Sequence, residues 1–316
     1  MADKEIGIDI GYGYTKTCSQ STRQVFPSAV TRVVPKATFG EISPILVNEE
    51  QFLAAEQALR EGSGLIDTRT TGFVKSNAWL AILGHALDIN SYGTENNSAD
   101  VIVLGIPPGQ YTKTAAREIV EVINRTSVCC NGRRYSLENS RPKIVPQGTG
   151  MYFYHLRHAP GDLTRNVAVV DIGHYTLDML LFAEGKYIES VTRSVPLGIS
   201  RLLDEVARAF YSAHHLSISH GEAQKLLRHG SITFLQSSYT LQDLAGMVSV
   251  YAAQISSIID SFFENLPVKP DIGLAGGGGV MILKDHVKLR YKLHILNEPV
   301  LANAVGYWYF ARGSRE

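Results

Sequence analysis

Short runs of apolar residues alternate with longer amphipathic stretches along most of the chain. Residues 6–10, Val101–Ile106 and residues 166–170 are largely β-branched or apolar, and each run stops at Gly, Pro or Asp. This pattern predicts buried β-strands. Residues 111–124 repeat apolar positions at helical spacing, which predicts an amphipathic helix. Strands that alternate with helices predict an α/β fold.

Weaker patterns complete the predicted element order. Helices are expected over residues 49–61, 74–89, from 149 onward, 197–213, 220–227, 241–265 and 298–311. Further strands are expected at residues 143–145 and 271–275, and residues 12–17 form the return strand of a hairpin that starts at residue 6.

Composition narrows the class of protein. The chain has 316 residues, 45% hydrophobic and 19% charged, which is typical of a globular protein of about two domains. The formal net charge is zero, so we expect no direct binding to nucleic acid or to an anionic membrane by bulk charge. The N-terminus is polar and unlike a signal peptide. The chain has three cysteines and no CxxC spacing, which makes structural zinc improbable. We therefore expect a cytoplasmic protein.

One short pattern occurs in both halves of the chain. Residues 7–12 read GIDIGY and residues 169–174 read VVDIGH. Each is an apolar strand that ends in Asp, Ile and Gly before a return strand with Tyr and Thr. A single Asp-x-Gly is common, but two matched copies at half-chain spacing predict two similar α/β halves, each with an acidic turn.

The first turn carries the groups that a nucleoside triphosphate site needs. Asp9 offers a carboxylate for hydrated Mg²⁺, and Lys16 offers a cation for phosphate. The backbone amides of residues 11–14, with two glycines among them, can approach phosphate oxygens closely. An ordinary hairpin with a solvated lysine is the alternative. No G-x-x-x-x-G-K-[ST] or G-x-G-x-x-G motif is present, so this is neither a P-loop nor a dinucleotide fingerprint.

The second turn supplies another carboxylate at a strand end, Asp171, followed by Gly173 and Thr176. Asp178 is expected to support this loop and not a metal. His174 could donate to a phosphate or be an ordinary surface histidine.

Three further features are candidates for the same site. Gly276 and the three glycines after it follow a predicted strand and suggest close approach to the adenosine of a nucleotide. Gln147, in a strand-to-helix turn, cannot act as a base but can orient a water; a plain turn residue is the alternative. Glu222 and Lys225 lie three apart on one helix face and could meet ribose and base, or form a surface ion pair.

The order of these motifs resembles the actin superfamily of ATPases. Asp9-x-Gly11 with Lys16, then Pro146-Gln147-Gly148, then Asp171-x-Gly173 with Thr176, and then Gly276-Gly277-Gly278 follow the family's order of phosphate-one, connecting, phosphate-two and adenosine motifs. Residues 25–28, 105–108 and 194–198 further resemble the ParM/StbA group of plasmid-segregation actins. The resemblance covers nearly the whole chain.

This resemblance implies an actin-like ATPase fold of two ribonuclease-H-like domains around a nucleotide cleft, with residues 1–164 and 297–316 as domain I and 165–296 as domain II. It implies ATP or ADP with Mg²⁺ as ligands, with GTP possible. Asp9 and Asp171 would serve the metal and, with Gln147, catalysis. The residues implied to bind nucleotide are Gly11, Tyr12, Gly13, Tyr14, Thr15, Lys16, Gly173, His174, Tyr175, Thr176, Glu222, Lys225, Gly276, Gly277 and Gly278.

The resemblance departs from the family pattern at Tyr12, where a small or hydroxyl residue is common, and at residues 174–175, where a second glycine is usual. It also implies head-to-tail filaments of the chain with itself and a DNA-binding adaptor in plasmid segregation. A non-plasmid cytoskeletal actin is an alternative. A small-molecule kinase of the same superfamily is disfavoured because no carboxylate stands at Gln147. A chaperone-like switch is least expected, because the chain ends soon after its closing helix.

Overall fold

The computed structural model describes residues 5–33, 42–61, 64–70, 72–90, 99, 101–138 and 140–313. The chain divides into two compact units. Unit 1 comprises Met1–Gly161 and Leu301–Glu316, and unit 2 comprises Asp162–Val300.

Unit 1 is built on two sheets. Its strands are β1 (Glu5–Ile10), β2 (Tyr14–Cys18), β3 (Arg23–Pro27), β4 (Val30–Arg32), β5 (Ile45–Val47), β6 (Glu50–Ala54), β7 (Val101–Ile106), β8 (Ser127–Cys130), β9 (Arg133–Ser136) and β10 (Arg141–Pro146). The first sheet has the order β10-β7-β1-β2-β3 and the second β4-β6-β5-β8-β9. In the first sheet β1 pairs in parallel with β7 and antiparallel with β2.

Helices α1 (Ala55–Glu61), α2 (Asn77–Asn90) and α3 (Lys113–Arg125) lie between these strands along the chain, and α4 (Thr149–His158) follows β10. Helix α2 is buried on most of its surface and packs in the main core with Trp79 and Leu83. Helix α3 begins at a Thr112 cap, whose hydroxyl accepts from Ala115 N at 3.0 Å. Its apolar face then packs Ile119 and Ile123 into the same core.

Unit 2 has a mixed sheet of similar design. Its strands are β11 (Val167–Ile172), β12 (Leu177–Ala183), β13 (Lys186–Tyr187), β14 (Arg193–Val195), β15 (Ser231–Phe234), β16 (Ser237–Thr240), β17 (Ile272–Gly276) and β18 (His294–Ile295). Strand β11 pairs antiparallel with β12 and in parallel with β17. The acidic strand of each unit therefore lies between an antiparallel return strand and a parallel neighbour. The pair β15–β16 forms a separate hairpin.

The helices of unit 2 are α5 (Ser200–His214), α6 (His220–His229), α7 (Leu244–Glu264) and α8 (Val280–Leu283). Helix α7 places Tyr251, Ile255 and Ile259 in the core against the sheet. The final helix, α9 (Ala302–Gly313), belongs to unit 1. It packs closely on α4, and a Cβ on Gly306 would stand only 1.7 Å from the carbonyl oxygen of Gly150.

The predicted α/β architecture is confirmed, and one element was predicted wrongly. The helix expected over residues 49–61 is a strand, β6, followed by the short helix α1. Phe52 and Leu53 of β6 pair with β4 and β5 on either side, and this pairing outweighs the local helical pattern. Among the described residues, no helix combines the length and the apolar character needed to cross a bilayer.

Candidate functional site

The first acidic turn brings three predicted residues together. Asp9 lies near the end of β1 and is only 3% exposed. Its Oδ2 accepts a hydrogen bond from Lys16 Nζ at 3.1 Å, and its Oδ1 accepts one from Gln147 Nε2 at 2.9 Å. Lys16 faces Asp9 because the two residues are direct partners in the antiparallel β1–β2 register. A buried carboxylate thus meets both a cation and an amide donor.

Gln147 reaches Asp9 because the turn after β10 is tightly fixed. Its backbone N–H donates to Ile106 O at 2.7 Å, which extends the pairing beside β7. Gly148 follows with φ of 89°, a left-handed conformation that suits glycine. Asn303 of α9 then accepts from Gly148 N and Met151 N at 3.1 and 3.3 Å, which satisfies amides at the start of α4. The side-chain oxygen of Gln147 can accept a hydrogen bond from a water.

The other residues of the first turn divide into two groups. Gly11, Tyr12 and Gly13 form the turn itself, with backbone carbonyls hydrogen-bonded to neighbouring segments. Thr15 is buried, and its hydroxyl forms a 2.8 Å hydrogen bond with Ser28 Oγ, so it stabilises the turn through Ser28. Tyr14 is 39% exposed at the start of β2.

The second acidic turn is closed by its own backbone. Asp171 is 7% exposed on β11, directly opposite Asp178 of β12. Gly173 N donates to Thr176 O at 2.8 Å across the turn. Thr176 Oγ1 donates to Asp178 Oδ2 at 2.8 Å, and Ser194 Oγ donates to Asp178 Oδ1 at 2.5 Å. Asp178 therefore supports the loop, as expected, and holds the hydroxyl proton of Thr176.

The glycines after β17 lie against this second turn. Gly276 is the last residue of β17 and pairs with Asp171. Gly277 has φ of 87°, and a Cβ there would stand 2.3 Å from Asp171 Oδ1. Gly279 N donates to Ile172 O at 2.8 Å. Close approach to the Asp171 turn thus explains Gly277 and Gly279. At Gly278 an added Cβ would meet no atom within 4 Å.

Glu222 and Lys225 take different positions from the rest. Glu222 forms a capping box at the start of α6, where its carboxylate accepts from Ser219 N and Ser219 Oγ at 2.7 and 2.8 Å. Lys225 is exposed on the same helix. The link between α6 and the second turn is a ring contact, with His174 and His220 centroids 5.6 Å apart. Tyr175 lies beside His174, with ring centroids 4.7 Å apart.

Several residues that build these turns were not assigned any role from the sequence. Asn303 has no local signal, because it acts on α4 from the other end of the chain. Ser28 and Ser194 lie in segments that carry only the family resemblance, and Thr68 lies in a segment with no such signal. Each is a small hydroxyl or amide residue whose partner is distant in sequence, so only the fold reveals it.

Each acidic turn offers a carboxylate of the kind that fits a hydrated Mg²⁺, which takes one or two carboxylates and keeps several waters. Asp9 has about four lone-pair sites, of which Lys16 and Gln147 use two. Beside Asp171 Oδ1 the chain has Gly277, and any larger side chain would fill that space. Within the described part of the chain, no three His, Cys, Asp or Glu side chains cluster as a metal site.

Two protein families match the two parts of the chain. Residues 7–150 match the family described as actin like proteins N terminal domain. Residues 169–289 match the family described as archaeal actin homologue MreB-like, C-terminal. A search of curated protein sequences found no match.

Solved structures of actin-like proteins share the fold over almost their full length. The archaeal actin homologue Ta0583 in complex with ADP has a TM-score of 0.79 at 20% identity, covering 99% of each chain. A 15-stranded ParM filament from Clostridium botulinum has a TM-score of 0.79 at 20% identity, covering 99% of this chain and 100% of the other. A filament structure named Alp12 has a TM-score of 0.71 at 18% identity, covering 99% of each chain.

Proposed function

The chain belongs to the actin-like proteins, and on this premise we propose that it binds and hydrolyses ATP with Mg²⁺ and polymerises into filaments. GTP is a second possible nucleotide. The observation that carries the proposal is the buried contact of Asp9 with Lys16 and Gln147 at the first turn. A carboxylate, a cation and an amide that can orient water, all at one glycine turn, are groups that phosphoryl transfer requires.

The second unit supports the proposal by repeating the arrangement. Asp171 is also buried at the end of a strand whose return strand starts after a glycine turn. In both units a carboxylate is buried at a strand end, where its loss of hydration must be offset by hydrogen-bonding partners or by a ligand. We propose that both turns bind one nucleotide and that Asp9 and Asp171 hold its Mg²⁺. The metal, when bound, would neutralise charge that develops on the phosphates.

Each side chain has a distinct role in this proposal. Lys16 pairs with Asp9 when no phosphate is bound and turns to a phosphate oxygen when one arrives. Gln147 keeps its amide nitrogen on Asp9 and accepts a hydrogen bond from a water with its side-chain oxygen, which orients the water toward phosphorus. The amides of the two glycine turns meet the phosphates. Glu222 and Lys225 contact ribose and base, and for Glu222 this requires that its Ser219 cap opens or is shared.

At the level of the cell, we propose a cytoplasmic filament that moves or partitions plasmid DNA through a separate DNA-binding adaptor. The zero net charge is compatible with self-association and gives no electrostatic grip on DNA. Structural relatives include a ParM filament and an archaeal actin homologue. The functional domains we propose are residues 1–164 with 297–316, and residues 165–296.

The experiment is a polymerisation assay on the purified protein. MgATP should raise light scattering above a critical concentration, and electron microscopy should show filaments with a non-hydrolysable ATP analogue. Phosphate release should follow the scattering. Hydrolysis without polymer at any protein concentration would refute the filament proposal. Phosphorylation of sugars in an acceptor panel would instead indicate a kinase.

A further inference from the structure

Every backbone carbonyl of residues 11–13 is held by a donor from another segment. Gly11 O accepts from Ser28 Oγ at 2.6 Å, and Tyr12 O accepts from Thr68 Oγ1 at 2.8 Å. Gly13 O accepts from the backbone N–H of Ser28 at 3.0 Å. Ser28 is 3% exposed and Thr68 is 9% exposed, so both hydroxyls are buried next to the turn. Three successive peptide planes are thereby fixed.

The second turn repeats this arrangement with different donors. The carbonyls of Gly173, His174 and Tyr175 accept from the backbone N–H groups of residues 198–200, at distances of 3.1, 2.8 and 2.9 Å. The close packing also leaves no room for a side chain on Gly198, where a Cβ would stand 2.5 Å from the His174 backbone. The two turns, from different halves of the chain, thus each have three successive backbone carbonyls that accept hydrogen bonds from other segments.

A backbone carbonyl that is held by a hydrogen bond also fixes the direction of the N–H group of the next residue. In a trans peptide the C=O of one residue and the N–H of the next lie in the same plane and point in opposite directions. Anchoring the carbonyls of residues 11–13 therefore directs the N–H groups of Tyr12, Gly13 and Tyr14 away from Ser28 and Thr68. A run of fixed amide donors is an arrangement that binds anions.

We propose that Ser28 and Thr68 are positioning residues for phosphate binding by the first turn. This inference rests on the nucleotide binding proposed above. Ser28 donates its single hydroxyl proton to Gly11, so Thr15 must be the donor in the 2.8 Å contact with Ser28. Thr15 therefore orients Ser28, Ser28 orients Gly11, and Thr68 orients Tyr12. The second turn achieves the same result with backbone N–H groups, which only a substitution by proline would remove.

The test uses hydroxyl deletions at the first turn. Thr68→Val removes the donor and keeps the side-chain shape, whereas Thr68→Ser keeps the donor. Ser28→Ala removes the donor to Gly11. The matched control is Thr31→Val, because buried Thr31 donates its hydroxyl to the loop carbonyl of Gly64 at 3.1 Å, and Gly64 lies outside the turn. Binding of a non-hydrolysable ATP analogue with Mg²⁺ and of adenosine is measured for each, together with thermal unfolding.

We expect Thr68→Val and Ser28→Ala each to weaken binding of the analogue by about 5- to 15-fold, the effect of one lost hydrogen bond. Adenosine binding should change less than twofold, Thr68→Ser should restore affinity, and Thr31→Val should bind as the wild type does. Equal weakening for the analogue and adenosine, or unchanged analogue binding in both deletions, would overturn the assignment. If the wild type bound no nucleotide, the proposed function itself would fail.

Discussion

Gln147 Nε2 donates to Asp9 Oδ1 at 2.9 Å although the two residues are 138 positions apart. The contact joins the ends of β1 and β10, which are both parallel neighbours of β7. Because parallel strands present their carboxyl ends at one edge of a sheet, this edge collects residues from distant parts of the chain. The pairing links the residue proposed to orient water with the residue proposed to hold the metal.

Substitution of Gln147 should separate hydrolysis from binding. We expect Gln147→Ala to lower kcat for ATP hydrolysis by about 10²-fold, because the attacking water loses its orientation. Nucleotide affinity should change less than about threefold, since Lys16 and Asp9, which we propose to bind the phosphate and the metal, are both retained. Single-turnover hydrolysis and equilibrium titration measure the two effects. Gln24→Ala, on exposed β3, is the control. A variant that loses affinity and keeps kcat would remove Gln147 from the mechanism.

Substitution of Asp171 should remove hydrolysis altogether. Asp171→Ala deletes the carboxylate beside Gly277 and, on our account, one of the two that hold Mg²⁺. Phosphate release is expected to fall to background. The control is Asp162→Ala, which also replaces an aspartate of unit 2 by alanine. Asp162 forms an ion pair with Arg165, and this variant should hydrolyse ATP as the wild type does. Near-normal turnover in Asp171→Ala would refute the assignment.

A stability prediction follows from the α4–α9 contact. Gly306→Ala places a Cβ 1.7 Å from the carbonyl oxygen of Gly150, so the helices must separate. We expect a loss of about 3 kcal/mol in the free energy of unfolding, as is typical of overpacking. Gly313→Ala on the same helix meets no atom within 4 Å and should change stability by less than about 0.5 kcal/mol. Urea unfolding followed by circular dichroism compares the two, and equal midpoints would contradict the packing.

The imidazole of His85 should make stability sensitive to acid. Burial lowers the pKa of His85, and the opposing charges of Asp88 and Glu56 do not compensate. The unfolded chain, with a pKa near 6.5, then binds the proton more tightly than the folded chain. The stabilisation is present above about pH 6.5 and is lost as the pH falls below it.

The corresponding measurement is the thermal midpoint between pH 8 and pH 5. His85→Gln should flatten the decline on the acid side compared with the wild type. His229→Gln, at an exposed position of α6, should leave the decline as it is. An acid profile that His85→Gln does not alter would show that another group is responsible.

The sequence predicted the strands best where hydrophobic burial acts locally. The runs around Asp9 and Asp171 are buried on both faces, so their composition alone indicates strands. The error at β6 arose because its pairing with β4 and β5 joins segments that no local pattern connects. The strand predicted to end at residue 275 ends at Gly276, because Gly276 pairs with Asp171 of β11 and extends β17 by one residue.

The candidate site was predictable only in part, for a related reason. Charged and glycine residues at strand ends are visible in a sequence, and Asp9, Lys16 and Gln147 do meet. Residues that stabilise a turn by hydrogen bonds from a distant segment have no recognisable sequence pattern. Thr68 bonds Tyr12 across 56 positions, and only the folded backbone brings these two residues together. For Glu222, the spacing Ser219-x-x-Glu222 is also typical of a capping box, and the structure shows that the carboxylate has this structural role.

The most direct test of the account is calorimetric titration of MgATP analogue into the wild type and into Asp9→Asn and Asp171→Asn. If the turns of both units bind one nucleotide, the wild type will bind one analogue per chain, and each variant will bind it at least tenfold more weakly. Absence of binding heat in the wild type, or full affinity in either variant, would contradict the central claim.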